Sequence, residues 1–283
     1  MRSWVVIACL VFLMGCDEAV DPVLESERAF TLYGYVDPGS DRQSLRVFPI
    51  EDILEVTDTT PLEARISLIG PGGTTAFADS VVRYWDGSIG HVFQARIRPA
   101  FQTTYVIEAE DARGRLTSVQ VTTPAKADLT LGQADGVLGN VRMPVAFTGA
   151  EQVLSPRVFY RFESTRPPFQ WTIPVIYDGS LTREGTTWSM AVDLSRDIGV
   201  LYSVTGLQPG TDPIVLLDLV VEAFIATEEW SPPGGRFVTE VLVQPGVFSN
   251  VDNGFGFVGA GYHERTSTLP EAAVLRLAGF ANE

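Results

Sequence analysis

Cysteine, lysine and histidine are nearly missing from this 283-residue chain, which has Cys9 and Cys16, a single lysine at Lys126, and only His91 and His263. With both cysteines inside the first 16 residues, a structural or catalytic zinc site lacks ligands. A serine triad would have to use one of the two histidines, and no Gly-x-Ser-x-Gly elbow is present. Positive charge is also scarce: 20 Lys and Arg face 35 Asp and Glu, for a net charge of -15. Phosphate backbones are bound by clustered cations, so the composition argues against a nucleic-acid partner.

What is present is apolar and acidic. At 45% hydrophobic residues, the chain can bury a sizeable core, and its length suggests about two domains at roughly 150 residues each. The acidic, arginine-dominated surface fits a GC-rich genome or a saline habitat, where salt screens self-repulsion.

The N-terminus has the order of an export signal: Arg2, an apolar run from Trp4 to Met14, then Gly15 and Cys16. A membrane span needs about 20 apolar residues, and Asp17 and Glu18 follow at once where a stop-transfer segment would carry basic flanks. Leu13-Met14-Gly15-Cys16 resembles the bacterial lipobox. The resemblance implies removal of residues 1–15, lipid on Cys16, and a mature chain with no free thiol and one more unit of negative charge. Residues 16–27 then read as the lipidated cysteine and a flexible acidic tether, with Asp17, Glu18, Asp21, Glu25 and Glu27 around Pro22. Acidic residues behind such a cysteine resemble the surface-export signal of some Bacteroidota lipoproteins, whereas in enteric bacteria Asp17 implies inner-membrane retention. The expected location is the bacterial cell envelope, foremost the outer membrane, either periplasmic or surface-exposed.

From Ala29 onward, two-residue alternation broken by Gly, Pro and Asp predicts antiparallel strands. Leu62, Ala64, Ile66 and Leu68 alternate with Glu63, Arg65 and Ser67, and similar runs occur at 28–36, 44–48, 91–97, 104–110 and 115–122. The expected fold is mainly β, with two β-sandwich-like domains. Residues 28–125 form an immunoglobulin-like sandwich, and residues 126–283 form a second β domain with strands near 141–147, 157–163, 171–176, 187–194 and 237–243. Short helices are expected near 221–230 and 270–279.

Several motifs have a structural reading beside a functional one. Gly254-Phe255-Gly256-Phe257-Val258-Gly259 has the glycine spacing of a dinucleotide fingerprint, but it follows a turn where that motif needs a strand before it and a helix after it. His91 shares a face with Phe93, Ala95 and Ile97 and is read as packed, while His263 sits beside Glu264. Glu108, Glu110 and Asp111, and the turn from Asp37 to Asp41, could hold calcium or do acid–base work; in so acidic a chain they read first as solvated surface. Tyr84, Trp85, Trp171 and Tyr177 near turns could stack on a sugar if exposed, and are core if buried.

Residues Phe248 to Ala260 resemble the closing motif of a Bacteroidota lipoprotein family known as domain of unknown function 4249, with Asn250, Asn253, Gly254 and Gly256 as the matching positions. Leu32-Tyr33-Gly34-Tyr35-Val36 is similar to that family's first strand. The resemblance implies an immunoglobulin-like domain, a second β domain and association with outer-membrane transporters of the TonB-dependent type. It brings no catalytic residues and no cofactor. The expected function is therefore a non-enzymatic, lipid-anchored binding or accessory protein. A structural or adhesive surface module is the alternative, and a carboxylate-dependent glycan hydrolase is third.

Overall fold

Alternation of buried and exposed residues becomes strand through most of the chain. The computed structural model describes residues 28–50, 60–83, 85, 87, 89–165, 168–230 and 249–283. Cys16, the acidic segment behind it, Tyr84, Asp86 and the strand expected near 237–243 lie outside these residues.

The N-terminal half supplies β1 (Phe30–Val36), β2 (Arg42–Pro49), β3 (Ala64–Gly70), β4 (Gly73–Ala76), β5 (Ala78–Arg83), β6 (Ile89–Arg96), β7 (Thr104–Asp111) and β8 (Leu116–Thr122). The C-terminal half supplies β9 (Asp128–Leu131), β10 (Asp135–Val137), β11 (Asn140–Thr148), β12 (Gln152–Thr165), β13 (Pro168–Ile176), β14 (Thr182–Glu184), β15 (Thr187–Asp193), helix α1 (Leu194–Thr205), β16 (Ile214–Ala226), β17 (Phe255–Thr268) and helix α2 (Ala272–Ala278). The protein is mainly β with sandwich-like layers, as the alternation predicts.

Among the described residues three sheets build those layers. One runs through eight strands in the order β13-β12-β16-β17-β1-β2-β6-β5; the others are β4-β3-β7-β8 and β10-β11-β15-β14, with β9 also on β11. Two separate cores result. The first gathers Leu32, Leu45, Val47, Ile66, Leu68, Phe93, Ile107 and Val119. The second gathers Val141, Met143, Phe147, Val158, Tyr160, Phe162, Leu216 and Leu219. Each such side chain, fully buried, contributes about 1.5–3 kcal/mol.

One strand belongs to both halves. Residues Thr31–Val36 pair in parallel with Phe255–Ala260 of β17, and Gly261–Thr268 of the same strand pair antiparallel with Leu219–Ala226 of β16. Val251, Val258 and Ala260 enter the first core, whereas Tyr262 enters the second. The N-terminal sandwich thus includes a segment from the far end of the chain. At the crossing point the Ala127 amide donates to the Tyr262 hydroxyl at 2.6 Å, and burial, opposed by that bond and aided by Glu264, pushes the phenol up to about 12.

Two helical expectations fare differently. The C-terminal helix forms, started at Glu271 and stopped by Gly279 at φ 106°. The helix expected near 221–230 does not: Val221 to Ala226 continue β16. That strand lies between β12 and β17, and Ala223, Phe224, Ile225 and Ala226 are all buried, so burial on both faces gives a run of apolar residues that mimics helical spacing. The helix that does form nearby is α1, capped by the Asp193 side chain on the Arg196 amide and ended by Gly206 in the left-handed region. Among the described residues no helix is long and apolar enough to cross a membrane.

Candidate functional site

A turn, a loop residue and three adjacent strands meet in an open cleft of about 530 Å³. It lies where the two halves join along β17, with Asp37, Ser40 and Asp41 on one wall, Arg98 beside them, and Arg157, Glu222, His263 and Arg265 on the strand side.

The turn is rigidly made. The Gly39 amide donates to Asp37 Oδ1 at 2.7 Å. Gln43, buried to 3% exposure, accepts from the Asp37 amide at 2.8 Å and donates to the carbonyls of Asp37, Ser40 and Ile97. Its amide therefore ties the β1–β2 turn to the segment after β6 that carries Arg98. Gly39 packs on Tyr262, where an added Cβ would lie 3.3 Å from the tyrosine Cβ.

Register supplies the strand side. Arg157 of β12 stands opposite Glu222 of β16, and Glu222 stands opposite Arg265 of β17, so cation, anion and cation form one row across three strands. Arg157 reaches the outer face through an irregularity: its pairing with β16 shifts between Leu154 and Arg157, with Ser155 at φ 48°. An extra residue in one strand resets which side each later residue faces. Arg157 Nε and Nη2 both donate to Glu222 Oε1, at 2.9 and 2.5 Å. His263 Nδ1 lies 3.4 Å from the same oxygen, and its ring meets Phe224 edge-on at 5.2 Å. Burial raises the Asp37 carboxyl above its ordinary range, against the lowering pull of the Gly39 amide, His263 and the Ser40 amide.

An aromatic cluster adjoins the cleft. Tyr35, Phe224, Trp230 and Phe257 contact one another edge-on at 5.0 to 5.8 Å. Glycine makes room for them, because a Cβ on Gly259 would meet Trp230 at 2.3 Å and one on Gly261 would meet Phe224 at 2.4 Å.

The structure distributes the other sequence candidates elsewhere. Asn250 pairs through its side-chain amide with both backbone groups of Val258, at 2.8 and 3.0 Å. Asn253 donates to the Leu116 carbonyl at 2.8 Å, and Thr117 Oγ1 donates to the Asn253 carbonyl at 2.8 Å. Gly254 and Gly256 press against the backbone of β1: a Cβ on Gly256, at φ +100°, would lie 2.1 Å from the Leu32 carbonyl oxygen. Asn253, Gly254 and Gly256 seat the returning chain on β8 and β1, while Asn250 ties the segment before β17 to that strand. The glycine-rich run lies at the start of β17 and opens no helix.

His91 Nδ1 lies 2.8 Å from Asp79 Oδ2, at the rim of the first core. Asp111 organises its own turn: burial works to raise its carboxyl, but the Arg115 side chain and the amides of Arg115 and Arg113 outweigh it and hold it low. Among the described residues Glu110 pairs with Arg65 alone, at 3.5 Å on open surface. Tyr177 is core and Trp171 is partly buried against it, whereas Trp85 is 98% exposed. Among the described residues no group of three or more His, Cys, Asp or Glu is arranged to hold a metal ion.

The cleft therefore unites Asp37, Asp41 and His263, all visible as candidates in the sequence, with Arg98, Arg157, Glu222 and Arg265, which were not. No local signal marks those four, since only strand register and one bulge bring them together. No protein-family model matches the chain, and no curated protein matches it significantly in sequence.

Proposed function

We propose that this chain is a non-enzymatic, lipid-anchored binding protein of the bacterial envelope that holds its ligand in the cleft along β17 and serves an outer-membrane transporter of the TonB-dependent type. The carrying observation is the cleft itself: arginine side chains face solvent there while Glu222, on its strand side, is already committed to Arg157. With Arg157 Nε and Nη2 both on one of its oxygens, Glu222 is engaged within the fold, which favours recognition over acid–base catalysis. The lipobox at Leu13 to Cys16 supplies the anchor, since two or more acyl chains give stable membrane attachment.

The test is metabolic labelling of the full chain with an alkyne fatty acid in a bacterial host, followed by fractionation and cross-linking. Label on the wild type, none on Cys16→Ser, and recovery of the labelled chain with a transporter support the reading. An unlabelled wild-type chain, or one recovered from membranes without any transporter, overturns it. Trp85, almost fully exposed at the β5–β6 hairpin, favours adhesion as the second reading; it predicts that Trp85→Ala abolishes binding to cells or matrix.

A further inference from the structure

On a chain carrying 35 carboxylates against 20 Lys and Arg, three arginines and one of two histidines line a single cleft. Arg157 is taken up by Glu222. Among the described residues Arg98 and Arg265 have no ion pair or side-chain hydrogen bond, and both are exposed. A guanidinium is a planar fork of donors that matches a carboxylate in two parallel bonds, so two unoccupied forks facing one cavity point to an anionic group on the ligand.

The remaining lining narrows the rest of that ligand. It is polar throughout, with Ser40, Asp37, Asp41 and His263 and no aliphatic side chain. The floor is formed by β12, β16 and β17, each of which already has a partner strand on both sides. A peptide added as a strand would need a free sheet edge, and one anchored by apolar side chains a pocket for them; this cleft has neither. A ligand rich in hydroxyls suits it, because each hydroxyl donates to a carboxylate while accepting from a guanidinium or imidazole. The volume of about 530 Å³ falls within the ordinary span of small-ligand sites, about 300–1,000 Å³.

We propose that the cleft binds an acidic saccharide, its carboxylate held by Arg98 and Arg265 and its hydroxyls by Asp37, Asp41 and His263. This rests on the binding role proposed above, but not on the anchor.

The experiment is calorimetric titration of the full chain in detergent with trigalacturonic acid, its methyl ester, galactotriose and acetate. The acid is expected to bind at least about ten-fold more tightly than the ester or the neutral sugar, a difference of about 1.4 kcal/mol. The Arg98→Gln, Arg265→Gln double variant loses that margin with an unchanged melting temperature, and Arg65→Gln, on open surface in the other sheet, keeps it. Equal binding of acid and ester, an equal loss in Arg65→Gln, acetate competing as well as the trisaccharide, or no binding of the acid each overturns the proposal. Cys16→Ser is included so that the two readings fail separately. A wild-type chain that binds but carries no lipid keeps the saccharide site and loses the anchor reading; a lipidated wild-type chain that binds nothing does the reverse, and Cys16→Ser is expected to bind as the wild type does.

Discussion

Asp197 and Glu222 are both carboxylates gripped by an arginine through two nitrogens, yet one is sealed in the second core and the other lies at the floor of a cleft. Asp197 is fully buried; its Oδ1 accepts from Arg196 Nε and Nη2 at 2.8 and 2.6 Å, and its Oδ2 accepts from the hydroxyls of Tyr160 and Tyr177 at 2.5 Å each. Burial, then the Asp197 charge, holds both phenols well above their usual range, so they remain donors. Both phenols in that network are buried and both carboxylate oxygens are taken, with Arg196 as the member that reaches solvent. Around Glu222 the same chemistry leaves Arg265, its neighbour in register, and Arg98 facing solvent. A closed set of charges specifies structure; an open set has bonds left for something else.

The largest effect that could break this contrast is at Asp197. Replacing it with Ala leaves two buried phenols without an acceptor, and urea denaturation is expected to show a loss of about 3 kcal/mol or more. A loss below about 1 kcal/mol would mean the network is not closed. Tyr177→Phe removes one of the two phenol donors and the acceptor of the Asp193 amide, which lies 2.8 Å away; the same measurement should give about 1–2 kcal/mol.

Glu222→Gln sharpens the other side. The Arg157 side chain is 41% exposed and can return to water, so the stability loss should stay near 1 kcal/mol or below. The freed guanidinium should tighten trigalacturonate binding several-fold by calorimetry; weaker binding would place Glu222 in contact with the ligand.

The smallest effect separates two turn aspartates by pH. Asp111 is held below its ordinary value of 3.8, so its contribution is present above that value and is lost as pH falls through the folded value. Asp37 is raised, so the folded state takes up its proton first, and its contribution falls as pH rises from 3.8 through the folded value. Melting curves of Asp111→Asn and Asp37→Asn against wild type across acidic pH should therefore diverge with opposite slopes.

The strands were legible where one face packs and the other meets water. Val158, Tyr160 and Phe162 share a face in the sequence, and all three are fully buried. Helix α1 was missed, although Asp193 as a cap, Leu194, Ile198 and Leu201 at helical spacing, and Gly206 as a stop mark it; the strand reading of 187–194 ran over its start. What the sequence hid was distance: β1 pairs with residues more than two hundred positions away, and the row from Arg157 through Glu222 to Arg265 exists only once three remote strands share a register. A bulge at Ser155, which decides that Arg157 faces outward, has no composition of its own to announce it.

The position of β17 beside β1 also fixes the order in which the molecule can be finished. Thr31 to Val36 keep one edge open until Phe255 to Ala260 have been synthesised, and the first core lacks Val251, Val258 and Ala260 until then. In a nascent chain of the first hundred or so residues β1 is the open edge of an incomplete sheet, and pairing across so long a sequence separation is slow. Thr31–Val36 and Phe255–Ala260 are thus a single lock, turned only once the later segment has been made.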